Sequence, residues 1–147
     1  MKKVLHLIGD AKEKGAAILT GGEALINETG HFMTPTVISG ATDNMFCMKE
    51  EIFGPVAPIS AFDRMEEVVE RANQTPYGLA AYVYSENIRE AVWIAENLEY
   101  GIVGVNDALP STAQAPFGGF KESGLGREGS HHGIDEYLEV KYISLGL

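Results

Sequence analysis

The apolar positions along this chain follow two periods in turn. Over residues 2–14, Leu5, Ile8 and Ala11 recur at helical spacing, and Gly15 ends the run. Ala16 to Thr20 reads as a short apolar strand closed by Gly21 and Gly22, and Thr34 to Ile38 resumes extended chain. Residues 55–62 predict another strand, whose Pro55 and Pro58 restrict its hydrogen bonding. Asp63 with Glu66 three residues on has the form of a capping box, and Val68, Val69 and Ala72 supply the buried stripe of the helix that follows. Pro76-Tyr-Gly breaks that helix, and Leu79 to Tyr84 gives a strand. Ser85 is placed to cap a second helix carrying Ile88, Ala91, Val92, Ala95 and Leu98, which Gly101 stops before a last strand, Ile102 to Val105.

Two strand–helix–strand units in succession imply an α/β fold with a parallel sheet and right-handed crossovers. After Asn106 the pattern dissolves: residues 107–133 are rich in Gly, Pro and Ser and hold neither period. A stretch of that length without regular structure is functional or needs a partner. Residues 137–145 alternate again, with Leu138, Val140 and Tyr142 on one side, and predict a terminal strand that must pair within this chain or with another.

Composition narrows the classes. A chain of 147 residues with 45% hydrophobic content suits a soluble globular domain, and a net charge of −10 with no basic cluster argues against nucleic acid. The amino terminus starts like a signal peptide, but its apolar stretch is broken by His6 and Asp10; no segment has the length of a membrane span. The expectation is a cytoplasmic protein, so the Asn-x-Thr triplets at Asn27 and Asn73 read as chance. The single Cys47 allows no internal disulfide and fits a reducing compartment.

Several chemical candidates weaken in context. Gly124-Leu-Gly-Arg-Glu-Gly129 matches G-x-G-x-x-G, but no apolar strand precedes it, so its glycines are expected to serve a tight loop. His6, His31, His131 and His132 lack metal-ligand spacing, and the adjacent pair would point apart in regular structure; no metal site is expected. Cys47, within Met-Phe-Cys-Met, reads as a small buried hydrophobe rather than a nucleophile.

Two segments are more specific. Lys49-Glu-Glu-Ile-Phe-Gly-Pro-Val56 sets paired acids against an Ile-Phe pair before a turn, and Ala115-Pro-Phe-Gly-Gly-Phe-Lys-Glu-Ser-Gly-Leu-Gly-Arg-Glu128 lies far along the chain. Between them come Tyr77-Gly-Leu-Ala-Ala81 and Gly104-Val-Asn106. In order and approximate spacing these four resemble the aldehyde dehydrogenase superfamily over essentially residues 2–147, and the tail from Gly126 to Tyr142 resembles its succinate-semialdehyde branch.

That resemblance implies the C-terminal part of the catalytic domain over residues 1–122, a Gly-rich crossover over 123–136 and an oligomerisation strand over 137–147. It implies NAD or NADP as cofactor, with Glu51 accepting hydrogen bonds from the nicotinamide ribose and Phe53 beside the ring; a carboxylate suits the first role because it accepts two bonds in a fork. It implies Ser111, six residues before Phe117, as a donor to a substrate carboxylate, with Phe117 in the same pocket; the alternative reading of Ser111 is a loop serine after Pro110. No catalytic residue is expected in this chain, because the family's nucleophilic cysteine and general base would lie upstream. Homo-oligomers through residues 137–145 are expected. The alternative, from a different class, is a non-catalytic module that assembles with a dehydrogenase through its terminal strand.

Overall fold

The computed structural model describes residues 1–25 and 30–146; Asn27 lies outside them. The described chain forms two compact units, Met1–Asp63 and Arg64–Leu147. That division falls inside the stretch read from sequence as one catalytic portion.

The first unit is built on helix α1 (Lys2–Glu13), whose buried residues are Val4, Leu7, Ile8 and Ala11. These are spaced i, i+3, i+4, i+7, a full core-facing stripe. Leu5, expected in that stripe, is only half-buried, while the expected Ile8 and Ala11 are buried together with Val4 and Leu7. Beneath the helix lies a three-stranded sheet of β1 (Ala17–Thr20), β2 (Thr36–Ser39) and β3 (Val56–Ile59). β2 is central, antiparallel to β1 and parallel to β3. Pro58 pairs with Ile38 and is tolerated because β3 is an edge strand of this sheet. Ile38 is fully buried against α1 with Met45 and Cys47. Thr36, the one buried polar residue of this core among the described residues, has its hydroxyl engaged twice: it accepts from the Gly22 amide at 2.8 Å and donates to the Thr34 carbonyl at 2.9 Å.

In the second unit α2 (Met65–Asn73) and α3 (Ile88–Asn97) accompany four strands: β4 (Tyr77–Gly78), β5 (Ala80–Val83), β6 (Ile102–Val105) and β7 (Phe120–Lys121). β5 and β6 pair in parallel across α3, as the strand–helix–strand pattern predicts. The other predicted unit does not close in one ladder, since β3 and β5 belong to different sheets. α2 begins one residue later than the capping box implied: Arg64 is its cap residue and makes no side-chain cap bond. α3 is capped by Asn87, whose side chain accepts from the Arg89 amide at 3.1 Å, while Ser85 accepts from the Asn87 amide at 3.1 Å and sets up the turn before it. Of α3's apolar positions only Ala91 is buried; Ile88 and Val92 are exposed, and Trp93, the only tryptophan, is partly so.

The terminal strand does not form within this chain. Residues 132–137 make a 3-10 turn ending at Tyr137, and residues 139–146 carry no regular element. An extended segment needs a neighbouring edge to form a ladder. The glycines of the G-x-G-x-x-G match lead into no helix; Gly124, Gly126 and Gly129 all have left-handed φ (131°, 75° and 67°), the tight loop expected of them. The rings of His131 and His132 do not point apart: their centroids are 3.9 Å apart, because the chain is entering the 3-10 turn rather than a strand. Among the described residues no group of three or more metal-ligating side chains occurs, and no helix is long and apolar enough to cross a membrane.

One polar contact ties the first unit together. Asp10, on α1, accepts from the Phe46 amide at 2.8 Å and meets Lys14 Nζ at 2.7 Å, fixing the 3-10 turn Phe46–Met48 to the helix. Burial alone would raise this carboxyl; hydrogen bonds from Lys14 and Phe46, with the charges of Lys14 and His6, outweigh it and hold the group below the ordinary aspartate value. A depressed carboxyl stabilises the fold fully above its unfolded value, about 4, and loses that contribution as pH falls through the lower folded value. Asp10→Asn should therefore lower the melting temperature at pH 7, with the difference from wild type closing below about pH 4. Thermal melts across pH 3–8 test this, and an undiminished gap at acid pH would contradict it.

Candidate functional site

The two motif segments occupy irregular backbone, and each is held by specific contacts within its own unit. In the first, the 3-10 turn leads into Glu50 and Glu51. The paired acids differ in use: Glu50 meets Lys3 of α1 at 3.8 Å, whereas the Glu51 carboxylate is exposed and engages no described side chain. Lys3 also donates to the Glu51 carbonyl, so the backbone is held while the carboxylate stays open. Gly54 passes so close to α1 that a Cβ there would lie 2.8 Å from a Val4 methyl. Between these anchors Phe53 adopts φ 49°, left-handed backbone that a bulky residue rarely takes, and leaves its ring 87% exposed. Backbone strain of this kind persists only where the surroundings impose it, and it concentrates at functional positions.

In the second unit the predicted substrate residues come together. Ser111 and Phe117 line one open recess of about 330 Å³ with Glu128 and Gly129. Phe117 and Glu128 exchange two backbone hydrogen bonds, at 2.8 and 2.7 Å, and the Ser130 amide donates to the Ala113 carbonyl at 3.0 Å. Asp107 accepts from the Leu109 amide at 2.9 Å, an Asx turn that shapes the approach to Ser111. The Ser111 hydroxyl is exposed and has no described hydrogen-bond partner. Phe117 and Glu128 also line a larger cleft of about 780 Å³, so this bridged pair is a wall common to both.

Three motif residues that had no role of their own in the sequence reading brace the irregular backbone of this unit. Arg127 donates to the Gly119 and Gly126 carbonyls at 3.1 and 2.6 Å and lies over the Phe120 ring. Asn106, at φ 52°, uses its amide as a strand substitute: Oδ1 accepts from the Ser85 amide and Nδ2 donates to the Ser85 carbonyl, both at 3.0 Å. Lys121, at φ 55°, reaches the end of α2. The available signal was the motif residues themselves; the partners of Asn106 and Lys121 lie tens of residues away and leave no local pattern. Asn73, read as part of a chance triplet, has its side chain committed: Nδ2 donates to the Asn97 carbonyl at 2.8 Å and Oδ1 accepts from the Glu99 amide at 2.9 Å.

Cys47 is 5% exposed within the first unit's core, and burial pushes its thiol above the ordinary value. Both features disfavour the thiolate that nucleophilic attack requires.

This chain belongs to the aldehyde dehydrogenase family, which it matches over residues 1–143. It is 51% identical over 146 residues to the mitochondrial succinate-semialdehyde dehydrogenase of Rattus norvegicus, covering 99% of this chain and 28% of the relative. It is 51% identical over 148 residues to the 3-sulfolactaldehyde dehydrogenase of Pseudomonas putida, covering 99% of this chain and 30% of that one. The structure of a Bacillus cereus aldehyde dehydrogenase in complex with NAD+ superposes with a TM-score of 0.89 at 47% identity, over 95% of this chain and 28% of the other. The chain thus spans less than a third of the length of these relatives.

The exposed, left-handed Phe53 allows a direct test of whether its conformation serves folding. Little apolar area is buried by this ring, whereas left-handed backbone costs a non-glycine residue roughly 1–2 kcal/mol. Phe53→Gly should leave the melting temperature unchanged or raise it, a gain of at most about 1 kcal/mol once the flexibility of glycine in the unfolded chain is counted. A clear fall in chemical-denaturation stability would make Phe53 a packing residue instead.

Proposed function

We propose that this chain forms the nicotinamide-side and substrate-side walls of an NAD(P)-dependent aldehyde dehydrogenase that oxidises a short aldehyde bearing an acid group, succinate semialdehyde foremost, to the carboxylic acid. The observation that carries this reading is the recess in which an uncommitted Ser111 hydroxyl stands beside Phe117. A hydroxyl donates one hydrogen bond to a carboxylate or sulfonate, and an aromatic face accommodates the methylene chain. The substrates in the names of the two curated relatives, succinate semialdehyde and 3-sulfolactaldehyde, both carry such an anion on a short chain.

The first unit fits the cofactor in chemical kind. Glu51 offers an exposed carboxylate able to accept from two ribose hydroxyls, and Phe53 offers an exposed ring face on a backbone held from both sides. When bound, the nicotinamide supplies the hydride acceptor. In this reading Glu51 orients the ribose, Phe53 limits where the ring can sit, Ser111 orients the substrate by its acid group, and Phe117 excludes water from one side of it. The buried Cys47 takes no part, and the thiolate and base that the chemistry needs come from the remainder of the enzyme.

Two substitutions in the full-length enzyme test these roles. Glu51→Gln keeps the shape and weakens charge-assisted hydrogen bonds of roughly 1.5–3 kcal/mol each, so cofactor KM should rise with folding intact. Kinetics unchanged at limiting cofactor would refute that role. Ser111→Ala should raise KM for succinate semialdehyde by on the order of tenfold, equivalent to about 1.4 kcal/mol, and leave a short apolar aldehyde nearly unaffected. An equal loss for both substrates would make Ser111 structural.

The tail completes the proposal. Leu138, Val140, Tyr142 and Ile143 are all exposed on a segment with no ladder of its own. We infer that residues 137–145 pair with a sheet edge of another subunit, where main-chain bonds and alternate side chains would both be satisfied. Light scattering on this chain and on one ending at Glu136 should show a dimer and a monomer respectively at tens of micromolar. Monomers in both cases would remove the tail from the assembly.

A further inference from the structure

Lys121 follows the Pro-Phe-Gly-Gly-Phe segment, and its geometry is unusual three times over. Its backbone is left-handed, at φ 55°, in a residue with no local side-chain bond to favour that conformation. Its ammonium sits 2.8 Å from the Asn73 carbonyl and 3.2 Å from the Thr75 carbonyl, at the C-terminal end of α2, where the helix dipole places negative charge. The same nitrogen meets Glu99 at 2.7 Å, and its side chain is three-quarters buried. Asn73 in turn is locked by its own side chain to Asn97 and Glu99 at the end of α3. One cation therefore joins the ends of both helices to β7.

β7 has few other anchors besides Arg127, which lies over the Phe120 ring and donates to the adjoining Gly119 carbonyl. It is two residues long and pairs only with β4; the adjoining bonds run from the Glu122 amide to the Pro76 carbonyl at 2.9 Å and from the Gly78 amide to Ser123 Oγ at 2.9 Å. What happens to β7 is passed on. A Cβ on Gly119 would lie 2.4 Å from Ser123, one on Gly118 would lie 2.6 Å from the Gly126 carbonyl, and one on Gly101 would lie 1.9 Å from the Gly118 carbonyl. Backbone packed this closely moves as a body, and Phe117 is its next residue.

From this geometry we infer that Lys121 is a positioning residue, which fixes Phe117 at the substrate recess by anchoring β7 to the C-terminal ends of α2 and α3. The kinetic side of this inference rests on the substrate reading given above; the structural side does not.

The test uses the full-length enzyme with Lys121→Met, which keeps the stem and removes the charge, and Lys121→Arg, which keeps donors for the same carbonyls. The milder Glu99→Gln weakens the same anchor if the methionine variant fails to fold. Lys121→Met should reduce kcat/KM for succinate semialdehyde by on the order of tenfold to a hundredfold, mainly through KM, with cofactor affinity unchanged; Lys121→Arg should recover most of it. Amide exchange should accelerate over residues 113–130 while α3 keeps its protection. Unchanged KM together with unchanged exchange overturns the inference, as does exchange that rises equally in α2, α3 and the loop, which marks a general structural role. A wild-type enzyme that oxidises no such aldehyde defeats the substrate reading alone, and the exchange pattern then still decides whether Lys121 holds Phe117.

Discussion

Most of what this chain offers to chemistry lies on backbone that no helix or sheet supports, and that backbone must still satisfy its hydrogen bonds. Buried N–H and C=O groups left unpaired cost as much as a lost hydrogen bond each. The region after β6 meets this demand with side chains standing in for a ladder: Asn106 for a strand beside Ser85, Arg127 for a strand beside Gly119, Lys121 for the missing turn of α2. Among the described residues no buried side-chain nitrogen or oxygen is left without a partner. Rigidity in an irregular wall is obtained here from long polar side chains rather than from regular structure.

The same constraint explains where strain collects. Among the described residues four non-glycine positions have left-handed backbone: Phe53, Asn106, Lys121 and Ser130. The first three fall within the segments that carry the family resemblance, and the amide of the fourth holds Ala113 beside the recess. Each is flanked by close glycine packing or by side-chain bonds that over-determine its conformation. Such conformations are retained against an energetic cost, which is the physical content behind a motif that would otherwise be only a string of letters.

Periodicity made α1 and β2 legible because each buries a repeating face, and it located α3 and the parallel β5–β6 pair although these bury little. On α1 it placed Ile8 and Ala11 correctly and Leu5 at the margin of the buried face, which Val4 and Leu7 complete. The cap of α2 was misplaced by one residue because the chain is still extended at Arg64, which takes the cap position in place of Asp63. The terminal alternation was real as a pattern, but a ladder depends on an edge that the pattern cannot supply. For the candidate site, Glu51, Phe53, Ser111 and Phe117 were proposed through resemblance, whereas Lys121 and Asn73 act through partners brought close only by folding. Lys121 and Asn73 are 48 residues apart, and no local rule connects them.

The placement of two rare side chains gives the molecule built-in reporters. The only cysteine lies in the core of the first unit and the only tryptophan lies on α3 of the second. Indole emission therefore registers events around α3, while alkylation of the thiol requires the α1 core to open and so measures the free energy of that opening. The cooperativity of the chain is thus accessible from its natural residues: coincident signals mean that the units melt as one, and separated signals give the stability of each without a label or a substitution.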